Sequence, residues 1–510
     1  MAPPESRPGN STARPPDTTP KMKTPVLLLA AFTLARVTFG GPPSVPSLQP
    51  APPANPLSFL DGRLIFDFQD RIRWEFRENN FDFNDKVNSL TDDDWLLNRL
   101  RLGVTLKPAS WLKVYLQAQD SREYFSDRPN IPGQLGAEGD DAFDLRQAYV
   151  EISNYDKCPW GMTLGRQVLA YGDERLIGSA DWLNTGRVFD AAKLRYQQKG
   201  WSLDAFGSTV ASVTRGEFNQ SDLFNGTENH RGQIFSGLYF STTALSVQTT
   251  DLYVLHLHEQ TGPRYQPAAL DDTNFLTLGF RVKSKPGVFY HRPTLAHDDK
   301  AGADGKSPPP PTPSAPQPLG FDYDAELAFQ TGEVRGLDLT AFAAHGGIGF
   351  TFDTMWTPRV GVEYNYASGD HDPLDGNIET FQNLFPSNHK FYGIMDVTAW
   401  QNMHQAVAGL SVRPCKTVTA LVDYRAFFIA STDDVWYRPN GITPVRPLTP
   451  AARAADNYEG SQIEFVVTWS PKKYLQFQGG YAHFFAGTYL ADTGASSDAD
   501  FGYIQATITF

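Results

Sequence analysis

The feature that most restricts the fold of this chain is a repeated alternation of apolar and polar side chains. It runs through segments of roughly 10–14 residues that are separated by turn signals. In the first segment the apolar set is Leu64, Phe66, Phe68, Ile72, Trp74 and Phe76, and the polar set is Asp67, Gln69, Arg71, Arg73, Glu75 and Arg77. A period of two puts the two sets on opposite faces of a strand.

The connections between these segments alternate in length. Tight turns are Lys107–Ser110, Lys199–Gly200, Arg413–Lys416 and Ser470–Lys473, and long polar connections are 80–94, 125–142, 213–232, 369–399 and 432–459. Bacterial outer-membrane barrels have short periplasmic turns and long extracellular loops. The sequence therefore predicts an all-β fold, a transmembrane antiparallel β-barrel of about 18 strands with that asymmetry.

The N-terminal region differs from the rest of the chain. Lys21 and Lys23 precede the apolar run Val26–Ala35, which is typical of a secretory signal peptide. We assign residues 1–41 to an over-long start plus this signal, 42–59 to a Pro-rich linker and 60–510 to the barrel. Residues 287–319 are predicted to be a Pro-rich periplasmic insertion.

Composition and the C-terminus agree on the compartment. The mean hydropathy is -0.38 and no run reaches the roughly 18 apolar residues that a spanning helix needs. The last segment alternates up to a terminal aromatic residue, Phe510, as the final strand of an outer-membrane barrel does. We predict the outer membrane of a Gram-negative-type bacterium. A net charge of -13 argues against nucleic acid as a partner.

Basic residues on the polar face are the main functional signal. By alternation they are Arg71, Arg73, Arg99, Arg101, Arg187, Arg195, Arg281, Arg359, Arg425, Lys113, Lys193 and Lys283. Rings of Arg or Lys select anions, and guanidinium pairs with carboxylate through two parallel hydrogen bonds. The alternative is that these cations only pair with inward acids such as Asp67, Glu75, Asp204 and Asp322 and rigidify the barrel.

No motif for catalysis or cofactor binding is present. We therefore predict a protein that is not an enzyme, with no cofactor and no bound metal. His256 and His258 share one strand face, where a lumen position without metal is the favoured interpretation. A hydrolase with a Ser/His or Asp/His site and a plugged adhesion barrel remain open alternatives.

Several motifs resemble the alginate export family of outer-membrane porins. They are Asp144–Glu151, Leu164–Gln167, Tyr171–Gly178, Asn184–Asp190, Phe321–Glu326, Tyr366–Asp370 and Thr380–Asp396. The resemblance implies a monomeric 18-stranded barrel whose arginine-lined constriction passes a polyuronate. By motif, Arg146, Arg166, Arg187 and Asp190 are similar to pore-lining residues. Alternation instead puts Arg146 and Arg166 with the apolar set unless a bulge shifts the register.

These observations predict a passive channel for an anionic, alginate-like polysaccharide; uptake of small anionic solutes or oligosaccharides is the alternative. The predicted pore-lining residues are Arg71, Arg73, Arg99, Arg101, Arg146, Arg166, Arg187, Asp190, Lys193, Arg195, Arg359 and Arg425. Expected partners are the polysaccharide, outer-membrane lipid and periplasmic proteins of polymer export or synthesis.

Overall fold

The computed structural model describes residues 57–80, 82–86, 92–126, 139–213, 218–221, 232–259, 272–285 and 320–510. The predicted signal peptide, all but the last residues of the predicted linker, and the predicted insertion 287–319 lie outside the described residues. Everything described belongs to one compact unit, residues 52–510.

Nearly all regular structure in these residues is β-sheet. The described chain forms eighteen long strands and three two-residue strands, Ser58–Phe59, Gln220–Ser221 and Asn377–Ile378. The long strands are β1 (Leu64–Glu78), β2 (Asp93–Ala109), β3 (Leu112–Tyr124), β4 (Asp141–Ser153), β5 (Trp160–Gln167), β6 (Phe189–Gln198), β7 (Trp201–Ser212), β8 (Ile234–Thr242) and β9 (Gln248–Glu259). They continue as β10 (Thr273–Ser284), β11 (Gly320–Val334), β12 (Leu337–Thr351), β13 (Arg359–Ala367), β14 (Met403–Cys415), β15 (Val418–Ile429), β16 (Tyr458–Lys472), β17 (Leu475–Ala486) and β18 (Ala499–Thr509).

The sheet closes on itself. Each long strand pairs antiparallel with its neighbours in the chain, and β1 pairs with β18 from Gln69↔Thr509 to Glu78↔Asp500. Closure removes the unpaired edge that an open sheet would expose to lipid. The prediction of an antiparallel barrel of about 18 strands is confirmed.

Helices are short and lie in two of the connections. They are α1 (Pro450–Ala454) and α2 (Thr488–Thr493), with a single 3-10 turn at Asn388–Lys390. Among the described residues, none of these helices has the length and apolar character that crossing a membrane requires.

The alternation seen in the sequence sorts side chains between the outer wall and the lumen. On β1, Ile72 and Trp74 are exposed on the outer wall, whereas the intervening Arg73 is buried inside. Asp70 is the one acidic interruption of the outer face of this strand. The neighbouring strand compensates for it, because Asn98 Nδ2 donates a hydrogen bond to Asp70 Oδ1 at 2.8 Å.

The connections follow the asymmetry of short turns and long loops with two exceptions, and the first is the long connection 285–319 between β10 and β11 at the short-turn end. One end of the barrel carries mostly short turns, and the other carries long loops. At the long-loop end β11 and β12 are joined by only two residues, Arg335 and Gly336. Both have positive φ, 56° and 78°, as a two-residue type I′ hairpin requires.

Cys158 and Cys415 are both free and exposed. Cys158 lies in the turn between β4 and β5, and Cys415 lies at the end of β14. Ten strands, β5 to β14, lie between the two short turns, which is more than half of the way around the wall. Strands about 4.8 Å apart make such a barrel roughly 30 Å or more across. A disulfide needs Cα atoms within about 7 Å, so these two residues of one chain cannot pair.

Two loops of the long-loop end fold into the lumen. Inner loop 1 (168–188) reaches from β5 to side chains of β1 and β2, and inner loop 2 (368–402) reaches β15 and β16. They join each other as well: Gly178 N donates to Phe385 O at 2.7 Å, and Phe385 N donates to Leu176 O at 2.9 Å. Consequently the inner wall at mid-height is covered by the protein's own loops.

Candidate functional site

Four arginines on the inner face of β1, β2 and β4 form the arginine cluster: Arg71, Arg99, Arg101 and Arg146. All are buried, with Arg71 only 3% and Arg99 only 1% exposed. Alternation on β1 and β2 directs the first three inward, because their apolar neighbours face lipid. The cluster is therefore built into the wall and does not depend on a mobile loop for its position.

Inner loop 1 inserts Asp181 into this cluster. The Asp181 carboxylate binds Arg101 Nη1 at 2.7 Å and Arg99 Nη2 at 3.2 Å. Its backbone oxygen also accepts from Arg71 Nη1 at 2.8 Å and from Arg99 Nη1 at 2.9 Å. Burial alone would raise the pKa of Asp181, but Arg99, Arg101 and Arg71 hold it well below the ordinary carboxyl value. The Asp181 carboxylate is thus ionised at neutral pH.

Positive charge exceeds negative charge at this place. In the described part of the chain, Asp181 is the one carboxylate within ion-pair distance of the cluster. Buried nitrogens of all four members have no hydrogen-bond partner among the described residues; they are Arg71 Nε, Arg99 Nε, Arg101 Nη2 and Arg146 Nε. Four cations surround one anion, and some of their N–H donors have no described partner, so this is a strong anion-binding environment.

Arg73 has a different role from the cluster. Its Nε binds Glu75 Oε1 at 2.6 Å, and its Cζ lies 3.7 Å from the ring centroid of Trp182. The other face of Trp182 stacks on His389 of inner loop 2, with centroids 3.6 Å apart and planes 6° from parallel. This sandwich fixes both inner loops against β1.

A bulge brings Arg146 into the lumen. The register of β3 and β4 shifts between the pairs Gln117↔Gln147 and Ala118↔Leu145, so Arg146 is an extra residue. Arg146 Nη1 donates to Gln117 Oε1 at 3.1 Å. Alternation alone would put Arg146 with the outward apolar set, and this bulge is the shift of register that turns it inward.

Arg166 and Asp190 require a correction. They pair directly between β5 and β6 in an unbroken register, on the same face as the exposed Leu164 and Leu194. Arg166 binds Asp190 through two bonds of 2.8 and 3.0 Å, and its Nη1 donates to Asn219 O at 2.9 Å. No bulge shifts this register, so these two residues lie on the outer wall and do not line the pore.

Arg187 lies in inner loop 1 rather than on a strand face. Its Nη1 donates to Pro386 O at 2.9 Å and to Gly178 O at 3.3 Å, which joins the two inner loops. Burial lowers the pKa of Arg187 to about 10. Its position is inside the lumen, but its contacts are structural.

The remaining predicted residues face the lumen mostly as partners of acids. Arg195 binds Asp204 at 2.6 and 2.7 Å, and Arg359 binds Asp322 at 2.9 and 2.6 Å. Arg425 binds both Asp423 and Glu464. For these three arginines the observed contacts are those of the alternative hypothesis, in which inward cations pair with inward acids and rigidify the barrel. Lys193 makes no ion pair or hydrogen bond with any described residue.

Sequence reasoning missed the residues that the inner loops contribute. Asp181 and Trp182 lie in a connection without period-two alternation, so no local pattern marked them. Among residues in strands, His256 is also corrected: it shares the outer face with Val254 and contacts Asn274 Oδ1 at 2.7 Å. In the described ranges no three His, Cys, Asp or Glu side chains converge as a metal site would require.

Comparison with known proteins agrees with this architecture. A family model described as alginate export matches residues 63–503. Among solved structures, Pseudomonas aeruginosa OccD3 (OpdP) matches with a TM-score of 0.54 and 11% identity over 89% of this chain and 92% of that one. The outer membrane protein OprD of Pseudomonas aeruginosa matches with a TM-score of 0.51 and 11% identity over 89% and 95%. Among curated proteins, none matches.

The closed wall with its polar, charged lumen, together with the match to the alginate export model, identifies a porin-like outer-membrane channel of a Gram-negative bacterium. Within that class, the family match covers most of the chain, and the chain belongs to the alginate export family. Family and fold are those of passive channels and not of enzymes.

Proposed function

We propose that this protein is a passive conduit for an anionic polysaccharide of the polyuronate class, exported across the outer membrane without chemistry on the polymer. The observation that carries the proposal is the arginine cluster, four buried cations on the inner face of β1, β2 and β4 with Asp181 as their one ion-pair partner among the described residues. A uronate carboxylate has the charge and the planar geometry that a guanidinium recognises.

The arrangement also fits transit rather than tight capture. Arg101 Nη1 is shared between Asp181 Oδ1 at 2.7 Å and Gln69 Oε1 at 3.4 Å, and Arg71 Nη2 donates to the loop carbonyl of Leu183 at 3.2 Å. A passing carboxylate therefore exchanges with bonds of similar kind. Conduction requires binding that is favourable enough to enter and weak enough to leave. Exchange along a set of neighbouring arginines meets both conditions.

Arg146→Gln provides the test that disturbs packing least, because among the described residues Arg146 makes one side-chain hydrogen bond and no ion pair. In a planar bilayer under a salt gradient, we expect the variant to lower the anion-to-cation permeability ratio about two-fold. The half-blocking concentration of added polyuronate should rise as well.

The matched control is the double variant Arg166→Gln/Asp190→Asn, one strand away on the outer wall. Its permeability ratio should equal that of the unaltered protein. If Arg146→Gln leaves both selectivity and polyuronate block unchanged, the arginine cluster does not serve anion transit and the proposal fails.

A second candidate function is the passage of small anionic solutes or oligosaccharides, including uptake. The observation that favours it is the covered inner wall, since both inner loops occupy lumen space that a polymer would use. Equal block by short and long uronates of matched carboxylate concentration would favour this candidate over polymer export.

A further inference from the structure

The lumen opens on the short-turn side of the inner loops. On β3, Gln117 is buried while Tyr115 and Lys113, nearer the short turn, are partly exposed. On β6, Ala191 is buried while Lys193 is partly exposed. We call this region the vestibule; its side chains on β3 to β6 are Lys113, Tyr115, Tyr149, Glu151, Lys193 and Arg195.

Two tyrosines form an aromatic surface in the vestibule. Tyr115 and Tyr149 are direct cross-strand partners, with ring centroids 5.4 Å apart. The Tyr115 hydroxyl donates to Asp67 Oδ1 at 3.0 Å and accepts from Gln117 Nε2 at 2.9 Å. The Lys113 ammonium lies 5.2 Å from the Tyr149 centroid. The rings are therefore held in place in an otherwise polar part of the lumen.

One cation beside this surface has no assigned partner. Lys113 binds Glu151 at 2.9 Å, and Arg195 binds Asp204 at 2.6 Å. The third cation, Lys193, is the cross-strand partner of Thr163 and makes no ion pair or hydrogen bond with any described residue. Glu151 and Asp204 are thus each taken up by another cation, and the third carboxylate, Asp67, accepts from Tyr115, so Lys193 is the vestibule cation that remains available to a substrate carboxylate.

The spacing suits a sugar unit. Glu151 follows Tyr149 by two residues on the same face of β4 and pairs with Thr163, and Thr163 pairs with Lys193. The Glu151 and Lys193 positions are therefore two strand spacings apart, roughly 10 Å, and Tyr149 lies one inward position further along β4. One pyranose ring and an extended lysine side chain cover that distance. Aromatic faces pack well against the C–H face of a sugar ring, and an ammonium group binds a carboxylate.

We propose that Tyr115, Tyr149 and Lys193 form a binding subsite for one uronosyl unit at the short-turn mouth of the channel. The sugar ring packs on the tyrosines, and its carboxylate binds the Lys193 ammonium. The inference rests on the proposed function and adds a direction to it, because the subsite lies on one side of the inner loops. Polymer arriving from the short-turn side meets it before it meets the arginine cluster.

The test is channel block by an oligouronate and by a neutral glucan of the same length, each added to one side of a bilayer at a time. The direction in which the protein inserts into the bilayer is assigned from the side on which a membrane-impermeant thiol reagent reacts with Cys158. We expect the oligouronate to block from the short-turn side at about ten-fold lower concentration than from the loop side. Tyr149→Leu should abolish the difference between the two sides in block by either oligomer, because both stack on the ring. Lys193→Gln should weaken block by the oligouronate alone, because the neutral glucan has no carboxylate.

Two controls keep the outcome interpretable. Thr419→Leu on β15, across the lumen, should leave the difference between the blocking concentrations from the two sides unchanged. Tyr149→Phe keeps the ring and should also retain this difference, and it serves as the second variant if Tyr149→Leu fails to fold. Equal block from both sides in the unaltered protein, or block insensitive to Tyr149→Leu and Lys193→Gln, refutes the subsite and leaves the proposed function standing. Absence of any block by oligouronate or polyuronate refutes the proposed function itself.

Discussion

Asp181 is the residue that binds inner loop 1 to the arginine cluster. Half of its side chain remains exposed, yet it supplies the ion pairs and the backbone oxygen that hold inner loop 1 on β1 and β2. It occupies the place where a substrate carboxylate would bind the same arginines. The residue thus connects the position of the loop to the charge of the pore.

The lowered pKa of Asp181 predicts a specific pH dependence. A depressed carboxyl pKa contributes stability that is fully present above the unfolded value, about 3.9, and is lost as pH falls toward the folded value. Asp173 in the same loop behaves alike: burial opposes ionisation, but Arg281 and Lys283 lower its pKa to about 2. We expect steady single-channel current from pH 7 to about pH 4, and loop-opening noise only below that range.

Asp181→Asn is the companion experiment. Without the carboxylate, inner loop 1 should be held less firmly, so current noise should already be present at pH 7 and anion selectivity should rise. Current as quiet as in the unaltered protein at pH 7 would show that the backbone contacts alone hold the loop.

At the scale of elements, β1 and β2 tolerate a polar pair on the lipid-facing side. Asp70 and Asn98 lie among exposed apolar residues such as Ile72 and Leu102 and satisfy each other at 2.8 Å. A polar group in hydrocarbon is costly when its partner is absent. The pair therefore constrains how these two strands can be altered.

A double-mutant cycle tests this constraint. Asn98→Leu should lower the free energy of unfolding by about 1–2 kcal/mol, because Asp70 then lacks its donor on the lipid face. Asp70→Leu/Asn98→Leu should restore the stability or exceed it. Denaturant titration in lipid vesicles gives the values, and a double variant less stable than the single one would contradict the lipid-facing position of the pair.

For the whole molecule, closure of the wall fixes what lies at each end. The odd-to-even connections, all long except the two-residue turn between β11 and β12, lie at one end and include the two loops that fill the lumen, and both cysteines lie at the opposite end. The membrane orientation of the barrel therefore determines which compartment can reach the thiols and the vestibule.

Thiol labelling measures that orientation. With a bulky maleimide that cannot cross the outer membrane, intact cells should show no labelling of Cys158 or Cys415, and permeabilised cells should show both labelled. Single Cys→Ser variants identify each site. Labelling in intact cells would place the short turns outside and reverse the direction inferred for the vestibule.

The amino-acid sequence alone was sufficient for the wall. Side-chain direction in a strand has a period of two, so the inward positions of Arg71, Arg99 and Arg101 follow from local spacing. Arg146 and Arg166 show the limit of that rule. The two look alike in sequence, but a bulge turns Arg146 inward, while an unbroken register leaves Arg166 outside with Asp190.

Only the tertiary structure decided what fills the lumen. The contact of Asp181 with Arg71 joins residues 110 positions apart, and that of Arg187 with Pro386 joins residues 199 apart. No short-range periodicity encodes such contacts, since a loop gains them only after the wall has closed around it. The sequence therefore determined the barrel and the face of most strand residues, whereas the fold of the inner loops determined which arginines of the cluster are occupied and where the lumen is open.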